Sequence, residues 1–519
     1  MIRLPLSDTQ TRVGDDSCEM PMRISLAREA QNTWRRVSLP QRLAMLRQAE
    51  ADLAENWQEY EALLRLPQRS HELDGGAATT LSAELLPLAA ACRFLRREAS
   101  RLLAPRQMSR RARPAWLFGV DLVVQREPWG VVLIIGPSNY PLMLAGIQTI
   151  QAVVAGNAVL IKPAANGQRA LLRFAEALHH AGVPQHLLQV LDDDSSAAQM
   201  AIEAGVDHVV LTGSEQTGRS VLSQAAKQLT PCTLELSGCD AMFVLKDADL
   251  DRVVEAIAFS FRMNASQTCI APRRIFVQES QVEILASKLR RTLTLAPKVN
   301  VSHTGRSRVF ELSSDAISRG AVALSGDHAI WSAMSEPRVA PLVLTGIHPE
   351  TPMAQTDPFA PVALLIPYGD IHEALDAAQR CPFALGASVF GPLAAARNVA
   401  NQIQVGCVTI NDVIVPTADP RLPFAASGRS GFGVTRGAEG LLAMTQVKAT
   451  SIRRGRWLPH FDSPSPHDAE LLASILKAGH AASWYGRVQG FCRLACSVWR
   501  QRRSRYNKKT RDNTNDQAE

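Results

Sequence analysis

Among the residues of this chain, Cys269 is the one best placed for covalent chemistry. It lies in the segment 259–273, which reads Phe-Ser-Phe-Arg-Met-Asn-Ala-Ser-Gln-Thr-Cys-Ile-Ala-Pro-Arg. Upstream, Leu250, Val253, Val254, Ile257, Ala258 and Phe261 recur at helical spacing, which predicts a helix from about Asp249 toward Met263. Small and polar residues then replace the pattern, so Cys269 falls on the loop that leaves the helix. A thiol there can meet a substrate; one sealed on a strand cannot. A free thiol is only a few per cent thiolate at neutral pH, so a reactive one needs activation by its surroundings. Taken alone, a single cysteine is more often a small buried hydrophobe than a nucleophile. Two further positions invite a ligand. Lys162 ends the apolar run 158–161, where a charge either meets a ligand or snorkels to the surface. Gly213-Ser214 opens a helical pattern whose free N–H groups would suit a phosphate, although 213–218 has no GxGxxG spacing.

The elements that must position these residues alternate between strand and helix. Residues 27–64 and 81–103 have helical periodicity, and 110–127 is Arg-rich and then alternating, as in a pair of strands or a projecting arm around Trp116-Leu117-Phe118. From Gly130 onward, Val131 to Ile135 is a buried strand. A Gly-Pro-Ser-Asn-Tyr-Pro turn follows, with Pro141 suited to the first turn of the next helix, and Gly156-Asn157 stops that helix. Strands are expected at 158–161, 209–212, 232–236, 274–277, 340–344, 362–366 and 407–411, and an ordered Gly/Pro/Ser-rich loop at 411–433. Strands separated by helices imply a parallel, doubly wound sheet, on which ligands sit at the C-terminal strand ends. The stretch 130–161 carries no charge, but its Gly, Pro, Asn and Gln break it into strand, turn, helix and strand, not a membrane span.

The chain has 519 residues, enough for two large or three smaller domains, with 46% hydrophobic and 20% charged residues. Nine scattered cysteines without a CxxC or a zinc-spaced Cys/His cluster argue against a disulfide framework or a metal site. They suit a reducing, cytoplasmic compartment, and residues 1–8 have no signal-peptide core. The net charge of +7 comes from the end of the chain: 485–511 holds nine Lys/Arg and no acid, so the rest carries 47 positives against 49 negatives. The body therefore has no basic surface for nucleic acid.

In order along the chain stand Pro128-Trp129-Gly130, Gly136-Pro137-Ser138-Asn139-Tyr140-Pro141, Gly156-Asn157, Lys162-Pro163, Leu211-Thr212-Gly213-Ser214 with Gly218, and Glu235-Leu236 with Gly238. Asn264 with Gln267 and Cys269, Phe359 with Pro361, Asn411, Pro423-Phe424 and Ser430-Gly431-Phe432-Gly433 follow. This series resembles the aldehyde dehydrogenase superfamily from about residue 27 to 448. The resemblance implies an α/β fold with a Rossmann-type dinucleotide-binding domain (20–109 and 129–240), an oligomerisation arm (110–128) and a catalytic domain with a closing segment (241–448), followed by a basic tail (449–519). It also implies an NAD- or NADP-dependent enzyme, a homodimer or homotetramer, that oxidises an aldehyde to an acid. Cys269 would attack the aldehyde, Asn139 and the Cys269 N–H would hold the oxyanion, and Glu235 would activate water. Gly136, Pro137, Ser138, Lys162, Pro163, Gly213, Ser214, Gly218, Leu236, Asp357 and Phe359 would line the cofactor cleft. Without the resemblance, Asn139 reads equally as a helix N-cap and Glu235 as a strand-end carboxylate in an ion pair.

Several positions depart from the family pattern. Ala165 stands where a ribose-gripping glutamate is usual, which removes repulsion toward a 2′-phosphate. Asp357 replaces a glutamate, Ser237-Gly238-Cys239 replaces Gly-Gly-Lys, and Ala265 and Ser266 stand before Gln267 where glycine is usual. Two rival readings follow: a CoA-acylating dehydrogenase, which would have no need of Glu235, and a fold kept as a binding or structural protein. In the tail, Trp484, Val488, Phe491, Ala495 and Val498 lie at helical spacing with Arg487, Arg493, Arg500, Arg502 and Arg503 among or after them. That pattern suits either a peripheral helix on an anionic membrane, and with it an apolar aldehyde, or a helix packed on the body. Residues 507–519 are polar enough to be disordered.

Overall fold

The computed structural model describes residues 16–66, 69, 75–114, 117, 119–332, 337–454, 458–461, 463 and 467–515, with the side chains of 16–18, 112 and those after Trp499 outside that description. Trp116 and Phe118 of the expected arm, and residues 1–8, also lie outside it. The chain divides into two compact units, Met1–Ala104 with Arg126–Lys448, and Pro105–Gln125 with Ala449–Glu519.

Two sheets organise the first unit. In the six-stranded sheet the order is Gly431–Phe432, Cys232–Glu235, His208–Thr212, Val131–Ile135, Ala158–Lys162, Leu188–Val190. All neighbours are parallel except Gly431–Phe432, which runs antiparallel to Cys232–Glu235. Val131–Ile135 is fully buried, as a near-continuous apolar strand covered on both faces must be. The chain winds outward from it in one direction and returns to wind in the other, so its C-terminal end is a switch point where ligands bind. The registers Ile135↔Lys162, Ile135↔Leu211 and Thr212↔Glu235 bring Gly136, Lys162, Gly213 and Glu235 to one edge.

The seven-stranded sheet has the order Val322–Ser325, Leu342–Thr345, Val362–Tyr368, Pro272–Gln278, Asp240–Val244, Gly386–Phe390, Cys407–Ile410, parallel except at its first pair. The helix Leu250–Arg262 forms where its periodicity places it. Asp249 caps it by accepting from the Asp251 and Arg252 amides, and Val253, Val254, Ile257, Ala258 and Phe261 face the core. The helix after Val131–Ile135 spans Met143–Ala155 and ends at Gly156 with φ 101°, a left-handed stop that glycine makes without penalty. Residues 411–433 form a 3₁₀ turn, Val415–Ala418, and several two-residue strands. The strands at Leu188–Val190, Asp240–Val244, Gly386–Phe390 and Val322–Ser325 are additions to those the sequence predicts.

In the second unit, Arg106–Gln107 pairs antiparallel with the strand that begins at Val120, and the strand that ends at Arg453 completes a three-stranded sheet. Two helices follow, Asp468–His480 and Trp484–Asn515. They meet closely: a Cβ on Gly490 would lie 2.3 Å from the Ala478 nitrogen. The long helix buries Gly490 and Ser497, whereas Trp484, Val488, Phe491, Ala495, Val498 and Trp499 are exposed. The predicted apolar stripe therefore faces outward. The helix runs to Asn515, and residues 516–519 of the polar end lie outside the described residues. Among the described residues no helix is long and apolar enough to cross a membrane.

His208, at the start of a central strand, is 4% exposed, stacks on Trp129 at 5.2 Å and meets Thr233 Oγ1 through Nε2 at 3.2 Å. Burial lowers its pKa from 6.5 to about 4, because the charged imidazole loses its water. The unfolded chain therefore takes up this proton first as pH falls. Stability present above pH 6.5 is expected to decline between 6.5 and about 4, by about 3 kcal/mol in total from this residue. Denaturant unfolding of His208→Gln against the parent across that range should show a flatter profile for the variant; parallel profiles would remove the assignment.

Candidate active site

A 3₁₀ turn, Met263–Ser266, follows the helix Leu250–Arg262 and delivers Cys269 to a cavity of about 390 Å³. Within this turn Asn264, Ala265 and Ser266 have φ of 50°, 52° and 60°. Left-handed backbone costs an L-residue roughly 1–2 kcal/mol, so three in succession need support. It comes from two sides. Asn264 donates from Nδ2 to the Asn139 carbonyl at 2.9 Å and to the Gln267 carbonyl at 3.3 Å. Arg273, on the first residues of the next strand, donates to Ser266 Oγ at 2.8 Å and to the Ser266 carbonyl at 2.8 Å.

Asn139 and its neighbours tie the switch-point turn to this loop. The Asn139 Nδ2 donates to the Gln267 carbonyl at 3.0 Å, and its Oδ1 accepts from the Tyr140 amide at 3.0 Å. One of its two N–H groups stays available to a ligand. The N-cap position of the following helix is Leu142, so Asn139 is not that cap. Tyr140 Oη lies 2.6 Å from Thr268 Oγ1. Beneath them Arg69, 2% exposed, donates to Glu84 Oε1 at 2.6 Å, to the Asn139 carbonyl at 3.3 Å and to Asn264 Oδ1 at 3.4 Å. Glu84 sits in a π-helical turn, Leu81–Leu85, and its other oxygen accepts from the Met143 amide at 2.6 Å.

Glu235 closes the strand Cys232–Glu235 and opens on the same cavity as Cys269. It is 3% exposed. Oε2 accepts from Thr435 Oγ1 at 2.9 Å, while Oε1 is buried with no hydrogen-bond partner. No ion pair to it is found among the described residues. Burial raises its pKa, and the Arg436 guanidinium and the Thr435 hydroxyl lower it. The half-buried Cys269 thiol is pushed well up by burial and by the Glu235 and Asp240 carboxylates, against a lowering from Arg436. Both groups are thus held toward neutrality. Arg436, 7% exposed with φ 60°, stacks on Phe424 at 4.2 Å and donates to the Thr417 carbonyl at 2.8 Å. Met143, Leu144, Phe259, Met263, Ile414 and Val415 give the cavity its apolar wall.

Of the residues expected to line a cofactor cleft, Gly136, Lys162 and Gly213 stand at one edge of the six-stranded sheet. Gly136 donates to the Lys162 carbonyl at 2.9 Å and Gly213 to the Glu235 carbonyl at 3.0 Å. Ser214 caps the helix Glu215–Gln228 by accepting from the Thr217 amide at 3.1 Å, which leaves other first-turn amides for an anion. Gly218 is buried: a Cβ there would lie 2.7 Å from Leu236 Cδ1, so the glycine allows the helix to close on the strand end. Lys162 is half-buried, lowered by burial and raised by Asp193 and Asp194. Pro163, next to it in sequence, is buried, as is Pro137, and Ser138 is exposed. Asp357 is 6% exposed. Its Oδ1 accepts from Arg273 Nε at 3.0 Å and from the Phe359 amide at 2.8 Å, and Oδ2 is buried without a partner. Phe359 has φ 48° and is half-buried. A helix N-terminus, a lysine at a strand end and an unsatisfied carboxylate oxygen fit the phosphate and hydroxyl groups of a dinucleotide. Cys239 is buried below, its thiol near the Ala354 carbonyl at 3.5 Å.

Residue pattern alone does not single out Arg69, Glu84, Arg273, Thr435 or Arg436. One signal was present: Arg273 and Arg274 stand together at the head of an otherwise apolar strand, where two charges need buried partners. Arg274 meets the Cys239 carbonyl at 3.0 Å.

Residues 14–450 match the model of the aldehyde dehydrogenase family. The chain is 30% identical over 464 residues to the 4,4'-diapolycopene aldehyde oxidase of Methylomonas sp, covering 84% of this chain and 83% of that one. Among solved structures, it resembles a Mycobacterium tuberculosis aldehyde dehydrogenase complexed with NAD+, with TM-score 0.76, 26% identity and coverage of 85% and 92% of the two chains. It also resembles an NADP-dependent glyceraldehyde-3-phosphate dehydrogenase from Bacillus halodurans C-125 complexed with NADP, with TM-score 0.75, 27% identity and coverage of 84% and 91%. The match of residues 14–450 takes in both sheets of the first unit, and the chain belongs to the aldehyde dehydrogenase family.

Proposed function

We propose that Cys269 is the nucleophile of an NAD(P)-dependent oxidation of an apolar aldehyde to its acid. The observation that carries this reading is that Cys269 and the unsatisfied oxygen-bearing Glu235 line one cavity. The Cys269 thiol gives its proton to solvent water, the sulfur adds to the aldehyde carbon, and the carbonyl electrons pass to oxygen. The Asn139 amide and the Cys269 N–H receive that charge; one such donor contributes ~3–4 kcal/mol. NAD(P), when bound, supplies the hydride acceptor that converts the adduct to a thioester. Gly136, Pro137, Ser138, Lys162, Pro163, Gly213, Ser214, Leu236, Asp357 and Phe359 would hold it, with Gly218 supporting the cleft from below. Glu235 Oε1 then takes a proton from water, which attacks the thioester carbon and releases the Cys269 sulfur. A CoA-acylating reaction would leave Glu235 without work, so acid should form with no CoA present.

The apolar cavity wall and the outward stripe of the C-terminal helix support one substrate class. Trp484, Phe491 and Trp499 are 76%, 62% and 61% exposed, and arginines accompany them. Such a helix lies in the interface of an anionic membrane, from which apolar aldehydes would reach the enzyme. The protein would then be cytoplasmic and peripheral, a homodimer or homotetramer paired through the arm. Removal of residues 463–519 is expected to release the protein from anionic liposomes while oxidation of a soluble medium-chain aldehyde continues. Unchanged co-sedimentation would end the membrane reading.

Cys269→Ala should lower aldehyde oxidation by about 1,000-fold or more while nucleotide still raises the melting temperature. Glu235→Gln should leave a pre-steady-state burst of reduced nucleotide and slow the turnover that follows. Activity of the alanine variant, or loss of the burst, would reassign the residue. The cation of Arg436 lowers both the Cys269 and Glu235 pKa values, and both groups must lose a proton to act. Arg436→Met is therefore expected to move the rising limb of kcat/KM to higher pH and to reduce the rate at pH 7.5 by about 3- to 10-fold. A pH–rate profile superimposable on the parent would exclude this influence.

A further inference from the structure

The loop that carries Cys269 is held by a residue that does not line the cavity itself. Ser266 is fully buried and has φ 60°, a conformation that an L-residue with a Cβ adopts only when its surroundings impose it. Arg273 grips it twice, at the hydroxyl and at the carbonyl, both at 2.8 Å. The same guanidinium reaches the Thr268 carbonyl, one residue before Cys269, at 3.4 Å and the Ala360 carbonyl at 2.8 Å. Its Nε is fixed on Asp357 at 3.0 Å, with both side chains almost wholly buried. Arg273 thus joins the backbone on the N-terminal side of the nucleophile to the 357–360 segment.

We propose that Arg273 is a positioning residue: it clamps Ser266 in the left-handed form and so fixes where Cys269 stands, with Asp357 as its counter-charge. The link to oxidation rests on the reading of Cys269 given above; the clamp itself does not. A planar fork is needed because a lysine ammonium can satisfy Asp357 but cannot bond Ser266 Oγ, the Ser266 carbonyl and the Ala360 carbonyl together. Release would let the loop relax toward right-handed backbone, exposing Cys269 and misplacing it at once. A glycine at 266 needs no clamp, since it holds positive φ without steric cost.

The full-length, nucleotide-free chain can test this through three variants, Arg273→Lys, Ser266→Gly and the two combined. Cys269 alkylation by iodoacetamide is followed by peptide mass spectrometry, alongside kcat, the KM for nucleotide and the melting temperature. Arg273→Lys is expected to speed alkylation about fivefold or more while kcat falls about tenfold or more. Ser266→Gly alone stays near the parent, and the double variant returns both readouts most of the way. Native alkylation and kcat in Arg273→Lys, or a double variant no better than Arg273→Lys, overturns the proposal. Should Arg273→Lys not fold, Ser266→Ala leaves the Arg273–Asp357 pair intact and removes one grip. It is expected to speed alkylation by about twofold, and an unchanged rate overturns the clamp. Because alkylation needs neither nucleotide nor aldehyde, a parent without dehydrogenase activity would refute the functional reading and leave this test intact.

Discussion

Burying a guanidinium costs several kcal/mol unless every N–H finds an acceptor and a carboxylate balances the charge. Beside the loop that carries Cys269, Arg273 meets that requirement in full and Arg69 for four of its five N–H groups. Arg69 with Glu84 lies under one side and bonds the Asn139 carbonyl and Asn264. Arg273 with Asp357 lies under the other and bonds Ser266, Thr268 and Ala360. The left-handed turn between them exists because both ion pairs need its carbonyls and side-chain oxygens as acceptors. Strain in the backbone and satisfaction of buried charge are in this way one arrangement, and Cys269 stands where they agree.

The electrostatics of the cavity follow from the same burial. Glu235 has a threonine hydroxyl for one oxygen and nothing for the other, and Cys269 faces its carboxylate as well as that of Asp240. The two carboxylates disfavour the Cys269 thiolate, burial disfavours the Glu235 charge, and Arg436 is the cation that offsets both. Burial thus raises the Glu235 pKa, and a stacked, hydrogen-bonded arginine opposes that rise.

Much of the scaffold could be read from residue pattern, because the signals were local. Apolar runs bounded by Gly, Pro and Asn mark Val131–Ile135, Ala158–Lys162 and His208–Thr212, and a capped amphipathic run marks Leu250–Arg262. The strand Asp240–Val244 escaped because five residues directly after a turn carry no periodicity of their own. The placement of Cys269 on a loop was legible; what holds that loop was not. Arg69 and Asn264 are 195 residues apart, and nothing in either neighbourhood announces the other. Arg273 left a trace as a charge at the head of a buried strand, but its partners Asp357 and Ser266 come together only in the folded sheet. The apolar stripe of the tail was visible as spacing, whereas its outward face depends on Gly490 and Ser497 taking the packed side.

A sulfur kept protonated and half covered is a poor target for peroxides and stray electrophiles, since the thiolate is the form they consume. The chain therefore keeps this sulfur in reserve. Durability between turnovers and readiness for the next one are set against each other by the same few charges around that atom.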